Sequence, residues 1–135
     1  MDMDTINIGN NCKVSYLAEF GCVKIQWFGS PNSNEFREGC DTALRVMYEK
    51  GSSKLLVDNT KASLFSVSDQ KWLNDVWLPK AEKAGYTYSA TVLGNSDAFV
   101  KFAAHSIASK RDQSKFISKF FVTIDEACSW LKMLN

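Results

Sequence analysis

The 135-residue sequence has one histidine, two prolines and no long apolar run, and its 16 basic residues nearly balance its 15 acidic ones. The formal net charge of +1 excludes the strong basic field of a non-specific nucleic-acid binder. Because a bilayer-spanning helix needs about 20 apolar residues, we expect no membrane span. The first residues, MDMDTINIGNN, lack the basic and apolar regions of a secretory signal, so we expect a cytoplasmic protein.

The sequence also lacks the motifs of a metal site or a redox site. The four cysteines form no C-x-x-C pair, and we expect reduced, buried thiols that behave as small hydrophobic residues. A single histidine and no dense acidic cluster leave no set of three or four metal ligands, so we predict no metal site and no cofactor. His105 lies near Lys101 at helical spacing rather than near an orienting carboxylate. The sequence therefore offers no catalytic residue and favours a non-enzymatic protein.

Length and composition are those of one folded domain covering residues 1–135, with 45% hydrophobic and 23% charged residues and no linker or internal repeat. Alternating apolar residues over 12–19 and 23–28 predict a β-hairpin. Apolar residues spaced by three and four then predict a helix that ends near Gly51. The run 55–57, Leu-Leu-Val, is typical of a central strand that is covered on both faces.

The second half of the sequence alternates helices and strands. A helix that begins at Ser66 or Ser68 should break locally before Pro79, which cannot donate a backbone hydrogen bond. A helix over 96–109, with Phe99 among its inward residues, and a last helix after a Thr-x-x-Glu capping box at 123–126 follow the later strands. The predicted order is ββαβαβαβα, an α/β fold with a mixed, mostly parallel sheet, an N-terminal hairpin and about four helices.

Four segments carry a family resemblance: the strand with Trp27, the strand that ends in Leu55-Leu56-Val57-Asp58, the segment 72–85 with Trp77-Leu78-Pro79, and Glu126-Ala127 with Trp130-Leu131. Together these segments resemble a STAS-like domain, of the family named for sulfate transporters and anti-sigma-factor antagonists. The resemblance spans nearly the whole chain and is greatest to stand-alone bacterial members. It implies a regulatory or protein-interaction module with a mixed sheet and four helices.

The resemblance also implies a candidate regulatory site. In signalling STAS proteins, an Asp-Ser-Ser-Gly motif at a helix start carries a serine that a partner kinase phosphorylates. Here Ser66, Ser68 and Asp69 take that place after the strand that ends in Asp58, although the motif's first Asp and its Gly are missing. One hypothesis is a regulatory site formed by these four residues. The other is that Ser66 or Ser68 only caps the helix and that Asp58 only forms a turn.

Asp58 and Asp69 also raise a third hypothesis, since two carboxylates that approach each other can perform acid–base chemistry. Trp72 and Trp77 suggest a pocket. Five positions apart, they point about 140° from each other on a regular helix, so both can be buried only if the helix is kinked.

Related CRAL-TRIO domains enclose lipids in a similar fold, so the alternative function is binding of a small apolar or lipid-like ligand. The expected partners are a protein or a second copy of the chain, through a sheet edge or an apolar helix face. The basic stretch 110–115 has no interleaved aromatic residues, which argues against nucleic-acid binding.

Overall fold

The computed structural model describes residues 5–134, which form one six-stranded mixed sheet with helices on both faces. The strands lie side by side in chain order. The first two neighbouring pairs are antiparallel and the other three pairs are parallel, so the third strand belongs to both parts of the sheet. This confirms the predicted α/β class with its N-terminal hairpin. The strands are β1 (Ile6–Ile8), β2 (Cys12–Leu17), β3 (Cys22–Gly29), β4 (Lys54–Ala62), β5 (Tyr88–Val92) and β6 (Ile117–Phe121).

The helices begin and end where the sequence offers caps. Asn32 forms a capping box with Glu35 at the start of the first helix, and Gly51 ends it in the left-handed conformation at φ 63°. Thr123 caps the last helix by accepting the backbone N–H of Glu126. The helices are α1 (Ser33–Lys50), α2 (Val67–Trp72), α3 (Leu78–Lys83), α4 (Ala98–Ser109) and α5 (Ile124–Lys132).

Helices α2 and α3 form one continuous helical segment that is interrupted by a π-turn over Leu73–Trp77. Pro79 in the first turn of α3 has no N–H to donate, and the backbone N–H of Leu78 instead bonds the carbonyl of Leu73, five residues back. The predicted local break before Pro79 is confirmed, and it takes the form of this wider turn.

Strand order explains how the helices are distributed over the sheet. Each parallel crossover moves one strand in the same direction, and right-handed crossovers then place α1, α2–α3 and α4 on one face. Leu55 packs in the cluster under α1 and α3, whereas the next residue, Leu56, packs against α5 with Cys128 and Leu131. Strand β4 is therefore covered on both faces, as its apolar run predicts.

The structure corrects the predicted fold at β1 and at α4. The order ββαβαβαβα omits β1, a three-residue edge strand that is too short to show a periodic pattern. Phe99 was expected to face the core but is 70% exposed, and Phe102 beside it is 75% exposed. The core side of α4 is built from smaller residues, Val100, Ala103 and Ala104, so the aromatic residues occupy its outer face.

Candidate functional site

The two candidate serines lie at the start of α2, and both are exposed. Ser66 is the N-cap: its Oγ accepts the backbone N–H of Asp69 at 3.0 Å. The hydroxyl of Ser68 lies 3.2 Å from that of Ser66. The capping role predicted for Ser66 is therefore present, and its cap leaves Ser68 with its hydroxyl on the surface.

Asp69 joins α2 to α1. Its side chain is buried, with 2% exposure, and it accepts hydrogen bonds from Ser33 Oγ at 3.0 Å and from Arg37 Nε at 3.4 Å. The Arg37 guanidinium also lies 5.3 Å from the centre of the Trp72 ring. Both Asp69 partners come from α1, so this carboxylate fixes the start of α2 against the first helix.

Asp58 lies elsewhere and has its own partners. Its carboxylate accepts the backbone N–H of Thr60 at 3.0 Å and the Thr60 hydroxyl at 2.7 Å. The predicted turn after Asp58 is not present, because β4 continues to Ala62 and these bonds lie within the strand, beside a shift in its register with β3. Side chains alternate along a strand, so Asp58 is on the same face as Leu56, which packs on α5. Asp69 is on the α1 face. Within residues 5–134 the two carboxylates share no hydrogen-bond partner, and they belong to opposite faces of the sheet, so the pair suggested by the sequence is not formed.

An apolar surface flanks the two serines and was missed in the sequence. Leu64 is 52% exposed and Val67 is 80% exposed, one on each side of Ser66 in the chain. The sequence signal for this surface is Val67, an apolar residue between two serines at a helix start, because capping the helix does not require an apolar side chain there. We call Leu64, Ser66, Val67 and Ser68 the helix-start surface.

Trp72 and Trp77, the two candidate pocket residues, have different environments. The π-turn makes bonds between residues five apart, which turns both side chains toward the α1 side of the segment. Trp77 is buried, and its Nε1 donates to the Cys40 carbonyl at 2.8 Å. Trp72 is half-buried and packs edge-on against Phe36, with the centres of the two rings 6.3 Å apart. Trp77 lines a partly open cavity of about 90 Å³, and Trp72 does not contribute to its lining.

The remaining candidate reactive groups are the four cysteines and His105. All four cysteines are buried and free of disulfides. Burial raises the pKa of the Cys12 thiol to about 12, and it also raises the pKa of Cys40 and of Cys128. His105 is exposed and its ring lies 4.0 Å from that of Phe120. Over residues 5–134, no three His, Cys, Asp or Glu side chains are grouped to hold a metal ion, and no helix is long and apolar enough to cross a membrane.

Comparison with known proteins identifies the fold. No protein family profile and no curated protein matches the sequence. Among solved structures, the anti-sigma factor antagonist SpoIIAA in its unphosphorylated form is similar, with a TM-score of 0.60 and 12% identity over 91% of this chain and 99% of that one.

The phosphorylated form of SpoIIAA, described as a Bacillus cell fate determinant, gives a TM-score of 0.53 and 14% identity over 89% of this chain and 98% of that one. These similarities extend over the sheet and helices described above, and at this identity they concern the fold alone. The chain has the STAS-like fold of anti-sigma-factor antagonists.

Proposed function

We propose that this chain is a non-enzymatic regulatory module that binds a protein partner through the helix-start surface. The observation that carries the proposal is the exposure of Val67 and Leu64 beside two surface hydroxyls. A protein contact needs an apolar centre with polar groups that can be satisfied around it, and this surface supplies both. SpoIIAA, whose fold it resembles, is an antagonist of an anti-sigma factor, a role that requires a protein partner.

The helix-start surface is held firmly enough to act as a preformed docking site. Asp69 binds Ser33 and Arg37 of α1, and the Gln70 side chain donates to the Phe65 carbonyl at 3.0 Å. Phe65 is itself buried among the rings of Trp27 and Phe36. Because these contacts fix the backbone on both sides of Ser66, binding orders few additional groups, and the entropic cost is small.

The test compares capture from the natural host by the wild-type chain and by two variants. Leu64→Ser/Val67→Ser removes the apolar centre, and Tyr48→Ser is the matched control because Tyr48 is 74% exposed at the end of α1. We expect one protein to be captured by the wild type and by Tyr48→Ser and lost from the double variant. If the partner is a second copy, the wild type is a dimer and the double variant a monomer. Equal capture by all three chains contradicts the proposal.

We also propose Ser68 as the position at which this contact is regulated by phosphorylation. SpoIIAA is known in unphosphorylated and phosphorylated forms. The Ser66 hydroxyl is engaged as the helix cap, whereas Ser68 offers its hydroxyl to solvent with Asp69 turned toward α1. We expect native mass spectrometry of protein from its host to show the mass of one phosphate, absent from Ser68→Ala and retained in Ser66→Ala. A phosphate lost only in Ser66→Ala places the site at the cap instead.

A second proposed function is binding of a small, mainly apolar ligand in the cavity beside Trp77. The observation that favours it is the partly open cavity of about 90 Å³ that is lined mainly by aromatic and aliphatic side chains. A cavity of about 150 Å³ accommodates benzene, so this one is too small for a lipid acyl chain. Binding is measured by ligand titration followed in the NMR resonances of the cavity residues; no shift with any small probe contradicts this second function.

A further inference from the structure

The cavity beside Trp77 lies between the parallel strands and the helices on the α1 face, and it is partly open to solvent. Its walls include Leu73 and Trp77 from the π-turn segment and Ala104 and Ile107 from α4. Helix α4 is fixed over it at its carboxyl end, where the Asn74 side chain donates to the Ile107 carbonyl at 3.0 Å. These residues supply apolar walls for the buried end of a small molecule.

The floor of the cavity carries a buried polar group without a partner. Asn59 of β4 is 6% exposed, and among residues 5–134 its Oδ1 accepts no hydrogen bond. The neighbouring Asp58 carboxylate accepts two hydrogen bonds. The unpaired oxygen therefore belongs to Asn59, which faces the cavity. Buried side-chain oxygens are nearly always bonded, and an exception calls for a donor from water or from a ligand. Ser89 and Thr91 of β5 add two hydroxyls to the same floor.

The charged side chain on the cavity lining restricts the charge of a ligand that could donate to Asn59 Oδ1. Arg111 is the only charged residue on the described lining, and its guanidinium donates to Asn74 Oδ1 at 3.0 Å and to the Tyr86 hydroxyl at 3.1 Å. A positive side chain with no acidic residue on the lining disfavours an ammonium ligand. An anion has no proton to donate, so it would leave Asn59 Oδ1 unpaired. The complementary group is a neutral donor, and a hydroxyl can also accept from the Ser89 or Thr91 hydroxyls.

We propose that this cavity binds a small neutral alcohol whose hydroxyl donates to Asn59 Oδ1. By comparison with the roughly 150 Å³ that hold six carbon atoms of benzene, about 90 Å³ suits a group of about four non-hydrogen atoms. The inference rests on the second proposed function, ligand binding, and is independent of the helix-start surface.

The test uses two probes with the same carbon skeleton, 2-propanol and acetone, titrated into the full chain and followed in the NMR resonances of Thr91 and Ala104. Only 2-propanol has a donor. We expect 2-propanol to bind about tenfold more tightly than acetone, because it can form one additional buried hydrogen bond to the protein. Asn59→Leu, of similar size, should abolish that preference, and Thr91→Val, which keeps the acceptor, should preserve it.

The outcomes separate this inference from the function on which it rests. If the wild type binds 2-propanol and acetone equally, ligand binding stands and the donor to Asn59 is refuted. If neither probe shifts the resonances, ordered water alone serves Asn59, and both the inference and the second function fail. The wild-type comparison decides by itself if Asn59→Leu does not fold. Where it folds, its unfolding midpoint should match or exceed that of the wild type, because an unpaired buried acceptor has been removed.

Discussion

Replacing Asp69 tests whether this carboxylate is a structural tie or a free functional group. In Asp69→Ala the chain loses the bonds from Ser33 at 3.0 Å and from Arg37 at 3.4 Å. A hydrogen bond to a charged group contributes about 1.5–3 kcal/mol. The Arg37 side chain is 44% exposed, so its ion pair adds at most about 1 kcal/mol. Both partners can be solvated after the change, so no orphaned group adds to the cost.

We therefore expect Asp69→Ala to lower the free energy of unfolding by about 2–3 kcal/mol. Asp69→Asn keeps the shape and an acceptor for Ser33, and should lose about half as much. Asp75→Ala is the matched control, because Asp75 is an exposed carboxylate of the same segment that pairs with Lys71 at 3.0 Å. Such an i,i+4 surface pair contributes only about 0.2–0.5 kcal/mol.

The assay is urea unfolding followed by the fluorescence of the four tryptophans, with the free energy obtained by linear extrapolation. If Asp69→Ala loses no more than Asp75→Ala, the carboxylate does not tie α2 to α1. In that case Asp69 is available for chemistry, and the description of the helix-start surface as preformed is wrong.

Two further predictions concern the core. A methyl group on Gly39 would lie 2.8 Å from both Cys12 Sγ and the Trp27 ring, so Gly39→Ala should destabilise the protein by about 1 kcal/mol. Overpacking costs about 1–3 kcal/mol, which outweighs the gain of about 1 kcal/mol in helix propensity. A Gly39→Ala variant that is more stable than the wild type in the same urea assay contradicts the close packing. Burial raises the pKa of Cys12 from 9.0 to about 12, so the unfolded thiol ionises first and stability should fall as pH rises above 9. Cys12→Ala should show a smaller decline in unfolding experiments at pH 8–11, and an equal decline assigns it to other groups.

Much of the fold follows from local chemistry in the sequence. The residues that cap α5 and end α1, Thr123 and Gly51, stand at the positions the structure uses. These signals depend on backbone groups within one turn, so they survive any tertiary arrangement. Phe99 was misplaced for the opposite reason. Helix α4 is apolar on more than one face, so the apolar spacing alone does not select the face on which Val100, Ala103 and Ala104 are buried.

The candidate site depends on long-range packing and was only partly predictable. Ser66 as a cap is readable from the sequence, whereas the separation of Asp58 from Asp69 depends on which face of the sheet each element covers. The unpaired oxygen of Asn59 has no sequence signal, because it results from three helices and the sheet leaving a space between them. Such a group can be found only once the layers are assembled.

The most direct test of the central claim is hydrogen exchange of the chain in complex with its captured partner. The first backbone N–H groups of a helix have no intrahelical acceptor, so those of Val67 and Ser68 exchange readily in the free chain. Binding through the helix-start surface predicts slowed exchange over residues 64–70 and unchanged exchange over α5. Slowed exchange over α5, with residues 64–70 unaffected, would contradict the proposed function.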